Sequence, residues 1–462
     1  MSSKGGKPEW LSDKIRDEIL AYALKNAVEH DGKAILGPVM SMLLGRHPEL
    51  KPRAKDLVNI VREVIVEVNK LTKDEQARLV KERFPEVLEG RRAGEERKGR
   101  LPLLPNAEKY SEVRTRFAPN PDFLIHLGNA RPAILSYMYA RMYKGKMILR
   151  FEDTDPKTKP PMPEAYRLIK EDLKWLGIEW DYECIQSMRL EIYYEVAREL
   201  IKRDGAYVDL CSRELFQTYK MKRAPCPHRA QSVEENLELF DKMLEGTFNE
   251  GEAVLRVKTD LSHPDPSVRD WVAFRIIDTD KYPHPIVGSK YNVWPTYNFA
   301  AAVDDHLLGV THILRGKEHA VNTVKQKYLY KHMGWQYPEV INLGRLKLEG
   351  LILSKSKIKE LMSKSPSKFS GPDDIRFGTI ASLRNRGITA EAIREVIMEV
   401  GVKPTDATIS WDNIAATNRK VIDGITKRMM FVTNPVMLII RDYSSEASIT
   451  LPFHPENTSL GT

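Results

Sequence analysis

A multidomain α/β architecture follows from three features of the sequence. The first hundred residues carry helical periodicity. A central stretch alternates short apolar strand candidates with helical segments. A Pro-rich interruption then divides that stretch. Strands alternating with helices build a parallel sheet with crossover helices, and the interruption reads as an insertion with its own small fold.

In chain order, Leu11, Ile15 and Ile19 recur at helical spacing, as do Val58, Val61, Ile65 and Val68. The charged run GRRAGEERKGR and the Pro-broken LPLLPN follow, and this pair reads as a linker ending near Asn106. Residues 1–106 are therefore an N-terminal helical extension and linker. VRTRFA and KMILRFED are strand candidates of the first half of the α/β domain, residues 107–203. Residues 204–293 form the insertion, with EAVLRVKTDL as a strand candidate. The α/β texture returns in YNFAAAVDDHLLGVTHILRG, over residues 294–345. Residues 346–430 are expected to be mainly helical. PVMLIIRDYSSEASITLPF alternates like strands, so 431–462 is expected to begin a β-domain. No internal repeat is visible.

At 462 residues, the chain can bury several cores. It is 42% hydrophobic and 29% charged, an ordinary globular balance. No apolar run reaches the roughly 20 residues that span a bilayer. Met1 to Glu9 lacks the apolar core of a signal peptide. The expected location is the cytoplasm, with no membrane partner. Three cysteines, Cys184, Cys211 and Cys226, argue against a disulfide framework. The formal charge is +8, and 345–430 holds most of it, with 16 Lys and Arg against 10 Asp and Glu. Such a surplus permits a polyanionic partner; a solvated charged surface accounts for it equally well.

Two short segments carry the chemistry. In RTRFAPNPDFLIHLGNAR a strand candidate ends near Phe117, and Pro119 and Pro121 stop regular structure. His126, Leu127, Gly128 and Asn129 then open a helix. A strand, a tight loop and a helix start form a phosphate-binding arrangement. Gly128 allows close approach of a nucleotide to the backbone, and His126 can donate to a phosphate. Far downstream, Ser354, Lys355, Ser356 and Lys357 suit a phosphate clamp, because lysine brings a point charge that follows a moving phosphate.

In this order, the two segments resemble the HIGH and KMSKS signatures of class I aminoacyl-tRNA synthetases. Ile352 stands where the second signature begins with lysine, as is familiar in the glutamyl/glutaminyl subgroup. RFAPNP, RFEDTDP and VDDHLLGVTHILRGKEH resemble that subgroup across most of residues 110–360, in its archaeal/eukaryotic form. The resemblance implies a Rossmann-like catalytic domain with an inserted acceptor-end-binding domain, a helical stem-contact region and an incomplete anticodon-binding β-barrel. It implies that Arg116 binds a substrate carboxylate, that Glu152 meets the amino group and that Tyr297 lines the pocket. Arg315 would face the side-chain carboxylate of glutamate, a place where glutaminyl enzymes carry a smaller uncharged residue. A planar guanidinium suits that carboxylate, whereas a neutral glutamine would leave it unpaired. A salt bridge from Arg315 to Asp304 or Asp305 is the structural alternative. Bacterial relatives have asparagine where Ala301 stands, so that contact is not carried over.

For ATP, the resemblance implies His126, Gly128, Asn129, Arg345, Leu346, Ser354 and Lys355, with His126 and Lys355 neutralising phosphate charge beside Mg²⁺. The implied reaction joins L-glutamate to tRNA(Glu) through an adenylate, and leaves open tRNA(Gln) as a second acceptor. Glutaminyl-tRNA synthetase, a tRNA-modifying glutamyl transferase and a non-catalytic tRNA-binding scaffold are the alternatives. The N-terminal helices leave open a protein-docking role and a plain stabilising one. Asp209, Cys211, Cys226 and His228 form two short pairs of zinc-ligand type. Relatives show Cys-x-Cys where Asp209 and Cys211 stand, so a structural zinc site and the relic of one both remain open.

Overall fold

A computed structural model describes residues 13–30, 32–47, 50, 53–84, 101–353, 355–442 and 448–462. Leu11, the charged run 90–100 and Ser354 lie outside the described residues. The chain divides into two units, Met1–Arg100 and Leu101–Thr462.

The first unit is helical, with helices Asp13–Glu29, Leu36–Arg46, Ala54–Val68 and Lys73–Arg83. Helix Ala54–Val68 buries Leu57, Val61, Val64, Ile65 and Val68, one stripe at helical spacing. Thr72 caps helix Lys73–Arg83 through a reciprocal capping box with Glu75. Gln76 is fully buried, and its amide donates to the carbonyls of Gly32, Val68 and Leu71. It thus ties two turns to the helical core.

In the second unit, strands β1 (Arg114–Phe117), β2 (Lys146–Phe151) and β3 (Tyr182–Ile185) come first in the chain. After them come β4 (Ala206–Asp209), β5 (Val254–Val257), β6 (Val272–Ile276) and β7 (Val293–Pro295). Strands β8 (His312–Gly316), β9 (Glu339–Leu343), β10 (Leu346–Leu348) and β11 (Ala407–Ile409) complete the set. A five-stranded parallel sheet has the order β3-β2-β1-β8-β9. Met147, Ile148, Leu149 and Phe151 of β2 are all buried, and so is Arg150 between them, as in a strand covered on both faces. Gly145 precedes β2 because the chain passes so close to Val113 that an added Cβ would overlap its carbonyl oxygen. The strand order reverses at β1, with β2 on one side and β8 on the other. Ligands of open α/β sheets bind at the carboxyl ends of the strands at such a reversal.

The insertion is a separate antiparallel sheet, β4-β5-β6-β7, with helices Arg213–Lys222 and Val233–Leu244.

Three features differ from the sequence reading. First, LPLLPN is not a free linker. Tyr143 OH accepts from Leu104 N (2.9 Å), Tyr139 OH donates to Pro102 O (2.9 Å), and Leu104 joins the core of the second unit. Second, the region 346–430 contains helices Lys355–Lys364, Ile380–Asn385, Ala390–Val400 and Trp411–Ile422, but also the parallel pair β10-β11. Third, the expected start of a β-barrel is not seen. Among the described residues of 431–462 there is no strand, and Val436 to Ile440 are exposed. Alternation alone does not make a strand, because its backbone donors and acceptors need a neighbouring strand. Instead, the chain folds back locally. Arg428 N donates to Phe453 O (2.8 Å), and Asn457 Nδ2 donates to Gly424 O (2.7 Å).

Candidate active site

A cavity of about 540 Å³ opens at the carboxyl ends of β1 and β8. It is lined by Arg116, His126, Gly128, Asn129, Glu152, Tyr297, Arg315, Arg345 and Leu346, so nine of the sequence-predicted residues meet at one place. Each arrives by a simple route. Arg116 is near the end of β1, Glu152 directly follows β2, and Arg315 is near the end of β8. Tyr297 begins helix Tyr297–Leu307.

His126 is the N-cap of helix Leu127–Met142, and Asn129 completes a capping box with it. Gly128 N donates to His126 Nδ1 at 3.0 Å, so the imidazole proton sits on Nε2. Burial, and then the nearby Lys355 charge, push the His126 pKa down to about 4. At neutral pH it is an uncharged Nε2–H donor. The role of Gly128 is sharper than the sequence suggested. An added Cβ would sit 2.8 Å from His126 Cε1, so glycine here leaves room for the imidazole.

Lys355 opens helix Lys355–Lys364 and does not line the cavity. Its ammonium is paired with the buried carboxylate of Asp122. Arg131, buried one turn beyond Gly128, stitches the site to later chain. It donates to the carbonyls of Gly344 (2.7 Å) and Gly401 (2.8 Å). That places the backbone leading into Arg345 and Leu346.

Arg116 and Arg315 line the buried end of the cavity, and Arg150 lies behind them, fully buried. Arg150 binds Asp305 at 2.8 Å and Glu152 at 2.9 Å. Arg116 faces Asp305 at 3.3 Å. Burial raises the pKa of Glu152, opposed by Arg150 and Arg116. Asp305 is held below the usual range: burial raises it, but Arg150 and Arg116 outweigh that. Arg315, 5% exposed, differs from its neighbours. Its contacts are Gln326 Oε1 (3.1 Å from both Nη atoms), Thr323 Oγ1 (2.6 Å), Tyr337 OH (3.3 Å) and Tyr297 OH (3.4 Å). The alternative of a salt bridge to Asp304 or Asp305 is not what forms. Asp304 is taken by Arg189, Gln186 and Tyr193, and Asp305 by Arg150 and Arg116. Three buried cations thus face two carboxylates.

The sequence reading missed Arg150, Asp122, Arg131, Gln326 and His319. Arg150 had a signal, being the one charge inside the run MILRF. Gln326 had one too: it shares a helix face with the buried Leu329, Tyr330 and Met333. His319 also lines the cavity. Burial, and then Arg315, push its pKa down to about 4.

In the insertion, Asp209, Cys211, Cys226 and His228 bring one ligand atom each to within 4.8 Å of one another. Asp209 Oδ1 faces His228 Nδ1 (3.2 Å) and Cys226 Sγ (3.6 Å), while Arg256 holds Oδ2 at 2.6 Å. One oxygen therefore remains aimed into the cluster, a donor set compatible with tetrahedral zinc.

A parallel sheet opening at its carboxyl ends onto a capped helix N-terminus, with a neutral histidine and a lysine beside it, is a nucleotide-using arrangement. Comparison with known proteins makes the class specific. The family model described as tRNA synthetases class I (E and Q), catalytic domain, matches residues 112–424. A glutamate–tRNA ligase of Hyperthermus butylicus is 61% identical over 437 residues, covering 93% of this chain and 75% of that protein. One from Aeropyrum pernix is 56% identical over 445 residues, covering 96% and 77%. Another, from Ignicoccus hospitalis, is 57% identical over 442 residues, covering 96% and 76%. The chain belongs to the glutamyl/glutaminyl family of class I tRNA synthetases.

Proposed function

We infer that this chain is a glutamate–tRNA ligase, joining L-glutamate to tRNA(Glu) at the expense of ATP. The observation that carries the choice of glutamate is the state of Arg315 in the cavity wall. Arg116 and Arg150 are paired with Asp305 and Glu152, whereas the hydrogen-bond partners of Arg315 are all neutral, which leaves its positive charge for a ligand. Glutamate has a net charge of −1 and neutralises it; glutamine does not. In this reading, Arg315 receives the side-chain carboxylate, Arg116 the α-carboxylate and Glu152 the ammonium, with Tyr297 closing the wall.

ATP, as its Mg²⁺ complex, would lie across the helix start. The adenine would meet backbone near Gly128, Arg345 and Leu346. His126 Nε2–H and Lys355, released from Asp122, would bind phosphate oxygens, together with Ser354, the preceding residue in the sequence. The glutamate α-carboxylate attacks the α-phosphorus and pyrophosphate leaves. A ribose hydroxyl of the terminal adenosine then attacks the carbonyl carbon, and AMP leaves. Phosphoryl chemistry of this kind needs positioning and charge neutralisation, not a protein nucleophile. The insertion and the basic 345–430 region would hold the acceptor arm.

Asp209, Cys211, Cys226 and His228 would hold a structural zinc ion. Metal analysis of protein purified without added zinc tests this, and a molar ratio near zero rejects it. The central reading is tested by aminoacylation of purified tRNA isoacceptors with labelled glutamate and labelled glutamine. Glutamate charging of tRNA(Glu) is expected; charging with glutamine at a comparable rate overturns the assignment.

A further inference from the structure

We propose that Gln326 is a specificity-determining positioning residue: its neutral carbonyl holds the Arg315 guanidinium without cancelling its charge, so that the charge is left for glutamate. The inference rests on the reading that Arg315 receives the side-chain carboxylate.

Gln326 lies on helix Ala320–Met333 and is fully buried. Three donors converge on its Oε1: Arg315 Nη1 and Nη2, both at 3.1 Å, and Tyr337 OH at 2.6 Å. Arginine nitrogens only donate, so the amide must present its oxygen to them. The orientation is therefore set by chemistry. It has a cost, because Nε2 is left buried with no hydrogen-bond partner.

Glutamate at this position would be nearly isosteric. It would accept the same three donors more strongly and would carry no orphaned N–H. It would also neutralise Arg315. The remaining partners preserve the charge in the same way. Thr323 is neutral, and burial pushes Tyr337 up to about 12, so it stays a neutral phenol. Among the described residues, every group hydrogen-bonded to Arg315 is uncharged, while the neighbouring Arg150 and Arg116 are paired with acids. A shell chosen only for stability would not leave one arginine of three without a counter-ion. A shell that leaves a site for an incoming carboxylate would.

The test compares Gln326→Glu, Gln326→Met and Arg315→Cys in the full chain by steady-state aminoacylation of tRNA(Glu). Gln326→Glu is expected to raise KM for glutamate at least tenfold, with KM for ATP within twofold and no loss of Tm. It is also expected to raise kcat/KM for glutamine relative to glutamate at least tenfold. Gln326→Met keeps the charge and loses only the anchor, so its loss should be severalfold and without a shift toward glutamine. If Gln326→Glu does not fold, Thr323→Asp delivers a carboxylate to the same guanidinium from one turn earlier and should give the same glutamate-specific loss. Equal losses in the Glu and Met variants, or an unchanged KM for glutamate in folded Gln326→Glu, overturn the proposal. If Arg315→Cys leaves KM for glutamate unchanged, it is the reading of Arg315 itself that fails.

Discussion

Replacing Arg315 by cysteine separates a substrate-binding guanidinium from a structural one. The side chain is 5% exposed, and all its partners are neutral. A glutamate carboxylate bound against cysteine would be desolvated with no cation. Truncating one partner of such a buried charge pair costs about 2–5 kcal/mol, and the depth of this site favours the upper half of that range. About 3–5 kcal/mol corresponds to a loss of roughly a hundred- to several-thousand-fold in kcat/KM for glutamate. Folding should be affected less. Arg315 is a buried cation with no hydrogen-bonded acid among the described residues, so removing it should change Tm little, although Gln326, Thr323 and Tyr337 must reorganise. The assay is aminoacylation with glutamate and glutamine, together with KM for ATP and thermal unfolding of the same preparations. A fall in Tm with parallel losses for glutamate and ATP would refute the argument, because it would mean that Arg315 holds up the wall of the site and not the substrate.

Gly128→Ala drives a methyl group into the His126 ring; removing one transition-state donor costs about a hundredfold or more, so kcat should fall to that extent while Tm holds within a few degrees. An unchanged kcat would show that the imidazole position does not matter. If Lys355 serves the phosphates as proposed, Lys355→Ala should slow adenylate formation by about a hundredfold or more with KM for glutamate nearly unchanged. A glutamate-specific KM effect would contradict that division. His126 and His319 are both held at about 4, each by burial first, with Lys355 and Arg315 respectively as the next cause. The folded state therefore excludes protons that the unfolded chain binds below about 6.5. Stability is fully present above that pH and declines as pH falls toward 4. The His126→Gln, His319→Gln double variant should flatten Tm between pH 6.5 and 4.5, and an unaltered slope there would count against it.

What was legible in the sequence, and what was not, follows from the range over which each signal acts. The β1 and β2 strands, the helix opening at His126 and the apolar stripe of Ala54–Val68 are set by neighbours a few residues away, and local pattern exposes them. The site residues Arg116, Glu152, Tyr297 and Arg315 were legible through motif resemblance, and the cavity does collect them. Their partners were not legible. Asp305 is 189 residues from Arg116 and 155 from Arg150, and no spacing rule reaches that far. The structural alternative for Arg315, a salt bridge to Asp304 or Asp305, does not form for the same reason. Sequence proximity suggested the pairing, but the sheet delivers Asp305 to β1 and β2 instead. The segment 431–462 differs in another way. Alternation is present, but among the described residues no neighbouring strand pairs with it.

In the proposed reading of Arg315, selectivity for the acid does not require that a large cation be added to a neutral pocket. It requires that one of several buried arginines be denied an acid partner. Asp305 satisfies Arg150 and Arg116, and Glu152 adds a second acid to Arg150. The same economy of acids leaves Arg315 with hydroxyls and a carboxamide. Adding a single acid anywhere in that shell should move the preference toward a neutral side chain, and it should do so without altering the ATP side of the cavity. That separability distinguishes a charge-based selector from one based on pocket size, in which narrowing or widening the wall would disturb both ligands together.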